Sequence, residues 1–572
     1  MISTLKKINF LITKRQRKGL VKLTFLLFIG MILEIFGIGI LIPTISILLD
    51  PEMIQESIYL SSIRENFSKF SDQSFVFLFL GFIVLIYFIK SIFIVFLTLK
   101  QNRFLSNLTA YVSNNLFSSY LTQPYSFHLN RNASDLIKNI QIEINYLHTF
   151  LVSLITLFIE GGFLIAILAT LIYIEPLGAI CIGLFYGLLS IIFLQFTKRK
   201  LNLWGDLRQE LDSQVSRIAL EGLGGVKDLL ILGKINFYIK NYSEKNYLKG
   251  RIGANQGTIS QIPRIYLEFI SIVGLISFII TLLLQGKDSV GLITVLGVFV
   301  AATFRMIPSL NKIIAAVQSM KYYLPSVNVV YKEIHGHFQI NQDEVEFTKV
   351  NFNNEIEFKK VNFSFKQNYP VLIDIDLKIN QGEIVGIIGE SGSGKSTLVD
   401  LLVGLHKQTS GEILVDGELD FQLTKSWRNN IGYVSQSIFL TDDTIKNNIA
   451  LGVNEDEIDE KKIHKLIKDV QLQSFIENLE FGINSMVGER GIQLSGGQRQ
   501  RIGIARALYN QPEILVFDEA TSALDNKTEK EVMKSIFNLK SGKTIILVAH
   551  RLSTLSDADV VYEIKNNQII KK

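Results

Sequence analysis

The sequence predicts a multi-domain chain, with a six-helix all-α transmembrane region over residues 1–335 and an α/β domain built on a phosphate-binding loop over 336–572. Three observations carry this. The chain has 572 residues, more than one hydrophobic core accommodates. It is 48% apolar with a mean hydropathy of +0.29, and the apolar excess lies in the first 320 residues. Beyond about residue 336 the long apolar runs give way to alternation, and Gly389-Glu390-Ser391-Gly392-Ser393-Gly394-Lys395-Ser396-Thr397 then stands between the apolar run Ile384–Ile388 and a helix-forming segment, Leu398–Val403.

Composition excludes several classes. The single cysteine, Cys181, lies inside an apolar run, which rules out a disulfide framework and a cysteine-based metal site. The net charge of +5 is modest, and many basic residues flank apolar segments, so it reports membrane topology rather than nucleic-acid binding. The first apolar segment is long and no small-residue cleavage site follows it, so no cleaved signal peptide is expected.

Lys6, Lys7, Lys14, Arg15, Arg17, Lys18 and Lys22 precede the first apolar run and, by the positive-inside rule, hold the N-terminus in the cytoplasm. Spans are expected at about 23–49, 74–99, 150–173, 177–197, 258–285 and 291–318. Segment 50–73 places Ile54, Ile58 and Tyr59 at helical spacing. It reads either as an amphipathic helix on the outer surface or as a loop. Ile174-Glu175-Pro176 is short enough to force a hairpin between the third and fourth spans. The two long polar excursions turn back at Tyr125–Ile140 and Gly225–Tyr242, each between helices that continue into the cytoplasm, where such turns could press on a cytoplasmic domain. A solvated loop tip is the alternative reading. His335 and His337 are read as solvated linker residues.

In the second domain, Ile356, Phe358, Val361, Phe363 and Phe365, then Val371, Ile373, Ile375, Leu377 and Ile379, alternate as antiparallel strands do. The strand, glycine loop and helix around Gly389–Thr397 fit the G-x-x-x-x-G-K-[ST] pattern. Its glycines let backbone N–H groups converge on a phosphate at the positive end of a helix. Lys395 reaches the outer phosphates, and Ser396 can ligate Mg²⁺. Ile514–Glu519 reads as a buried parallel strand ending in two carboxylates, and Thr544–His550 as another ending in histidine. Ligands in open α/β sheets bind at such carboxyl ends. Phosphoryl transfer needs spreading charge neutralised and a water positioned, so Asp518 is read as metal-side carboxylate and Glu519, one residue on, as the group that polarises the water.

Leu494-Ser495-Gly496-Gly497-Gln498, before the helical stretch Arg499–Leu508, resembles the signature sequence of ATP-binding cassette proteins without a substitution. The resemblance implies further roles. Gln436 is similar to the residue that senses metal and attacking water, His550 to the switch histidine at the γ-phosphate, and Phe365 to the aromatic that stacks on adenine. Ser522–Asp525 resembles the segment crossing the dimer interface. The family's signature residues complete the partner's site, so a dimer is implied, and the intact motifs favour a homodimer. Six spans followed by one cassette resemble the exporter-type half transporter, with ATP and Mg²⁺ as cofactors and both termini in the cytoplasm at a bacterial inner membrane.

Cargo is read from the membrane region. Ionisable residues inside spans need partners or a function, and here they are Glu34, Lys90, Glu160, Arg264, Glu268 and Arg305. Arg264 and Glu268 stand at i,i+4 and can pair, whereas Lys90 and Arg305 have no local partner in the sequence. A substrate cavity lined by Lys90, Arg264 and Arg305 is one expectation. Glu34–Gly39, Gly224–Asp228, Pro263-Arg264 with Glu268, and Arg305–Asn311 together resemble the lipid-linked oligosaccharide flippases of bacterial protein glycosylation, the PglK-like group. This resemblance implies a polyprenyl-pyrophosphate oligosaccharide as substrate, with position 90 departing as lysine where the group tends to arginine. Export of other lipids, drugs or peptides by the same architecture, and an ATP-gated channel, stand as alternatives.

Overall fold

In the computed structural model the described residues are 2–40, 72–174, 176–284, 289–337, 352–366, 369–419, 425–519, 526–538, 542–549 and 555–572. Segment 50–71, and with it the question of an outer amphipathic helix, lies outside them. Two compact units result, one of residues 1–123 and 130–340, the other of 124–129 and 341–572.

The first unit is helical. Helices α1 (Ile2–Leu11) and α2 (Lys14–Gly39) lead to α3 (Asp72–Leu121), and α4 (Tyr125–Leu129) belongs to the second unit. Helix α5 (Ala133–Lys138) joins α6 (Ile144–Ile174) through a π-turn at Asn139–Glu143. Then come α7 (Pro176–Gly224), α8 (Val226–Ile231), α9 (Ile235–Leu284) and α10 (Ser289–His337). At 1.5 Å per residue the 50 residues of α3 reach about 75 Å, far beyond a hydrocarbon core of about 30 Å. A helix of this length is longer than one crossing requires. By length and composition alone, Leu80–Leu121 and Ala133–Ile172 qualify as membrane-crossing among the described residues. His335 and His337 do not lie in a linker: they close α10, where His335 is exposed as expected, with its ring 5.3 Å from Phe10 and 5.2 Å from Tyr331.

Helices this long need interhelical ties, and the ties are polar as well as apolar. Glu160 on α6 is buried and accepts from Ser309 Oγ at 2.7 Å and Lys312 Nζ at 2.6 Å, both on α10. Arg208 on α7 places its guanidinium 3.9 Å from the ring centre of Tyr146 on α6 and 5.0 Å from those of Tyr322 and Tyr323 on α10. It also donates to Ser326 Oγ at 2.9 Å, and the neighbouring Asp212 pairs with Lys249 of α9 at 2.6 Å. Charges removed from water must be matched this way or they unfold the site that holds them. Among the described residues of this unit, the tightest approach of a glycine to another helix's backbone comes at Gly205, where a Cβ would lie 2.5 Å from Tyr322 O.

The second unit is α/β. Strands β1 (Glu355–Lys366), β2 (Tyr369–Asn380), β4 (Ser410–Val415) and β5 (Glu418–Leu419) form an antiparallel sheet in the order β2-β1-β4-β5. A second sheet runs β10 (Gln568–Lys571), β9 (Val560–Lys565), β3 (Ile384–Gly389), β8 (Thr544–Val548), β7 (Ile514–Asp518), β6 (Ile431–Val434). Within it, β3 pairs parallel to β8 and β9, and β7 parallel to β6 and β8. Strands β3, β7 and β8 read as continuous apolar runs because both faces are covered.

The alternation expected along β2 is broken. Leu372, Ile375, Leu377 and Ile379 are buried, while Val371 and Ile373 are only partly so. A bulge shifts the register: Asp374 and Lys360 both adopt φ 46°, and Asn362 bridges them, accepting from Asp374 N at 3.0 Å and donating to Lys360 O at 2.9 Å. We predict that Gly205→Val, which forces α7 away from α10, destabilises the protein by roughly 1–3 kcal/mol, measured as loss of melting temperature of the detergent-solubilised chain. Unchanged melting would show that the two helices are free to separate.

Candidate nucleotide-hydrolysis site

The loop after β3 is shaped by glycines that other residues cannot replace. Gly389 has φ 154°, and a Cβ there would fall 2.6 Å from Ile564 O and 2.7 Å from Ser393 Oγ. Gly394 has φ 103° and caps α11 (Lys395–Val403). Lys395 Nζ donates to the carbonyls of Gly389 and Glu390, each at 2.9 Å, so the loop folds around its own ammonium. Ser393 Oγ is buried without a hydrogen-bond partner. Glu390, Ser391, Gly392 and Ser396 are exposed, and Thr397 is buried in the helix start.

Strand order puts the carboxylates beside this loop, since β8 alone separates β3 from β7. Asp518 closes β7 and is 5% exposed. Burial raises its pKa and the Glu519 charge adds to this, while hydrogen bonds from Ser396 and Tyr433 and the Lys395 charge oppose it. Tyr433 OH lies 3.4 Å from Asp518 Oδ2, and Asp518 Oδ1 is buried with no hydrogen-bond partner. A third carboxyl, Asp400 on α11, is held at about 6 by burial and then by Asp518. Buried oxygens of this kind, one of them orphaned, fit a hard divalent cation such as Mg²⁺.

Glu519 sits in left-handed backbone at φ 51°, unusual for a side chain with a Cβ. Its N–H donates to Val548 O at 3.1 Å, and its Oε2 accepts from Gln436 Nε2 at 2.7 Å. The turn thus aims the second carboxylate away from the buried first one and towards Gln436.

Ser495 caps helix α12 (Gly496–Tyr509) in a reciprocal box: Gln498 N donates to Ser495 Oγ at 3.2 Å, and Ser495 N to Gln498 Oε1 at 2.8 Å. A cavity of about 180 Å³ lies between Gln436, Ser437, Ile438, Gly496, Arg499 and Gln500. Leu494 is buried as the anchor of the turn. Among the described residues, the hydrogen bonds of Ser495, Gly497 and Gln498 stay local and none reaches the phosphate loop. His550 and Asp525 lie outside the described residues.

Phe365 is 55% exposed, with its ring edge-on to Phe363 and His406 at 5.0 and 5.5 Å. His406, which the sequence did not single out, is buried 5.7 Å from the Tyr125 ring of α4, and its Nε2 is 3.9 Å from Asp400 Oδ2. One signal was available: Asp400 stands one helical turn beyond Ser396, on the same face of α11. Tyr433 and His406 carry no motif and are found only through contacts.

The expected cavity residues are in the first unit. Lys90 on α3 is buried, and it does have a partner: its ammonium stands 4.8 Å from the centre of the Tyr87 ring, whose hydroxyl donates to Gly37 O of α2 at 2.9 Å. Arg264 Nε pairs with Glu268 Oε1 at 3.1 Å, and both side chains are exposed. Arg305 belongs to α10, with its side chain outside the described set.

Such a loop, carboxylate pair and capped glycine turn define a nucleotide-hydrolysing cassette. The family described as ABC transporter matches residues 372–522, and its transmembrane region matches 36–307. The chain is 30% identical over 477 residues to the ATP-dependent lipid A-core flippase of Saccharophagus degradans, covering 81% of this chain and 78% of that one. It is 28% identical to the flippase of the same name from Ralstonia nicotianae, over 83% and 80% of the two chains. A multidrug transporter of Emericella nidulans, atrD, is 44% identical over 231 residues, 40% of this chain and 16% of that one. In fold, it is similar to a bacterial Atm1-family ABC exporter with ATP bound, at a TM-score of 0.77 and 23% identity over 97% and 94% of the chains. The chain belongs to the ABC transporter family, as a half transporter of exporter type that hydrolyses ATP.

Asp400 yields a pH test. Its folded pKa is raised, so ionising it costs stability, and the cost is absent below the unfolded value near 4 and complete above about 6. Asp400→Asn is therefore expected to stabilise the nucleotide-free protein at pH 7.5, by at most about 3 kcal/mol, with the gain shrinking towards pH 4 in thermal melts. A gain that does not vary with pH would contradict the assignment.

Proposed function

We propose that two copies of this chain pair as a homodimer that uses ATP to move a phosphorylated glycolipid from the inner to the outer leaflet, and that the cargo is a polyprenyl-pyrophosphate-linked oligosaccharide. The observation that carries the ATP-driven half is the Gln436–Glu519 hydrogen bond of 2.7 Å beside the buried Asp518. In this reading Glu519 accepts a proton from the attacking water as its oxygen bonds to the γ-phosphorus and the bond to the β–γ bridging oxygen breaks. Gln436 orients Glu519. Lys395 exchanges its loop carbonyls for β- and γ-phosphate oxygens, and Phe365 offers its exposed ring to adenine. Ser396, Asp518 and Gln436 would hold Mg²⁺, which when bound neutralises phosphate charge. Ser495–Gln498 and Asp525 serve the partner's nucleotide, and His550 its own γ-phosphate.

The cargo reading is supported by a lysine at position 90 inside an apolar helix, with Arg305 as a second cation in α10. A phosphate-bearing head group would draw Lys90 from the Tyr87 ring. Since the relatives from Saccharophagus and Ralstonia are named as lipid A-core flippases, a lipid A-type glycolipid is the second reading.

Glu519→Gln is expected to trap ATP and lower steady-state hydrolysis by about 10²-fold or more. Wild-type turnover would remove Glu519 from this role. In proteoliposomes, ATP should drive movement of a polyprenyl-pyrophosphate oligosaccharide in preference to lipid A or a hydrophobic dye, and Lys90→Ala with Arg305→Ala should impair it while sparing basal hydrolysis. Preferential lipid A movement would select the second reading, and dye transport alone would contradict both.

A further inference from the structure

Where α1 crosses α6 and α10, an apolar pocket of about 190 Å³ is lined by residues including Leu5, Ile8, Phe150, Leu154, Met320 and Lys321. It stands at the cytoplasmic boundary read from the sequence, since Phe150 opens the third expected span and Lys321 follows the sixth. Lys321 is its single charged lining residue. Nζ of Lys321 donates to Leu194 O at 3.4 Å, the outer limit for a hydrogen bond, although an ammonium has three donors to satisfy. Burial, and then the like charge of Lys198 on α7, lower its pKa. Neither lysine pairs with a carboxylate among the described residues.

An apolar slot walled on one side by the ammonium of Lys321, with Lys198 one helical turn beyond the Leu194 carbonyl that Lys321 reaches, matches one kind of molecule. An acyl chain fills the slot, and a phosphodiester relieves the repulsion between the lysines and takes the donors left over. Free phosphate would leave the apolar walls bare, and a neutral lipid would leave the charges unmatched. We propose that this pocket binds an anionic phospholipid, with one acyl chain between α1, α6 and α10 and its phosphate at Lys321 and Lys198. The lipid would be a resident that seats α1 on the bundle. The proposal does not depend on the cargo reading.

The test uses the full-length protein, delipidated in detergent and analysed by native mass spectrometry with dioleoyl phosphatidylglycerol or dioleoyl phosphatidylcholine added. Phosphatidylglycerol should be retained in preference by about fivefold for each lysine. Lys198→Gln with Lys321→Gln should bring the two lipids level, and the matching arginine pair should restore the preference. Leu154→Trp, which fills the slot, should lower retention of both lipids. Preserved selectivity in the glutamine pair would overturn the proposal. So would failure of the arginine pair to restore it, or displacement of the lipid by millimolar inorganic phosphate.

Discussion

Two carboxylates in consecutive positions at the end of a buried strand repel one another, and the cassette is arranged around that repulsion. Burial already makes ionisation of Asp518 costly, and Glu519 adds to the cost. The surrounding structure answers on both sides. Ser396 and Tyr433 supply hydrogen bonds and Lys395 supplies charge to Asp518, while a left-handed backbone turns Glu519 out to Gln436. The strain of that turn and the orphaned Asp518 Oδ1 both make sense for a site completed by a cation and a triphosphate. A parallel sheet in the order β3-β8-β7 is the scaffold that brings a loop and a carboxylate pair, about 130 residues apart in sequence, to neighbouring strand ends.

The helical unit handles buried charge in the opposite way, by closing it off internally. Glu160 with Lys312, Lys138 with Glu143, and Asp212 with Lys249 are matched pairs, and Arg208 is sandwiched among tyrosines. Each joins residues from different helices or from either side of a helical junction, so each fixes how the long rods lie against one another. Arg264 with Glu268 is different. That pair spans one turn of a single helix with both side chains exposed, so it ties no two helices together.

What was legible in the sequence was local. The phosphate loop, the signature turn and the Asp518-Glu519 step are contiguous, and their backbone geometry follows from a few neighbouring residues. The long helices were legible through apolar runs that outlast a membrane. Features set by distant partners were not. The bulge in β2 depends on Asn362 reaching across from β1, and His406 matters through rings from α4 and β1. The Lys90 ring contact lies one turn away on its own helix, but the Gly37 carbonyl that holds Tyr87 in place is 50 residues back. Lys312, within the sixth expected span, finds its partner Glu160 on a helix 152 residues back, a pairing that no local pattern reveals.

The central claim is that each hydrolytic site is shared, with the phosphate loop from one copy and the signature turn from the other. Complementation tests this most directly. Chains carrying Lys395→Ala and chains carrying Ser495→Arg are each expected to be inactive as homodimers, because both sites in each are damaged. Co-expressed and purified through two different tags, the mixed dimer concentrates both lesions in one site and leaves the other whole, so ATP turnover should return. A mixed dimer as inactive as its parents would mean that each chain builds its site alone, and would contradict the account.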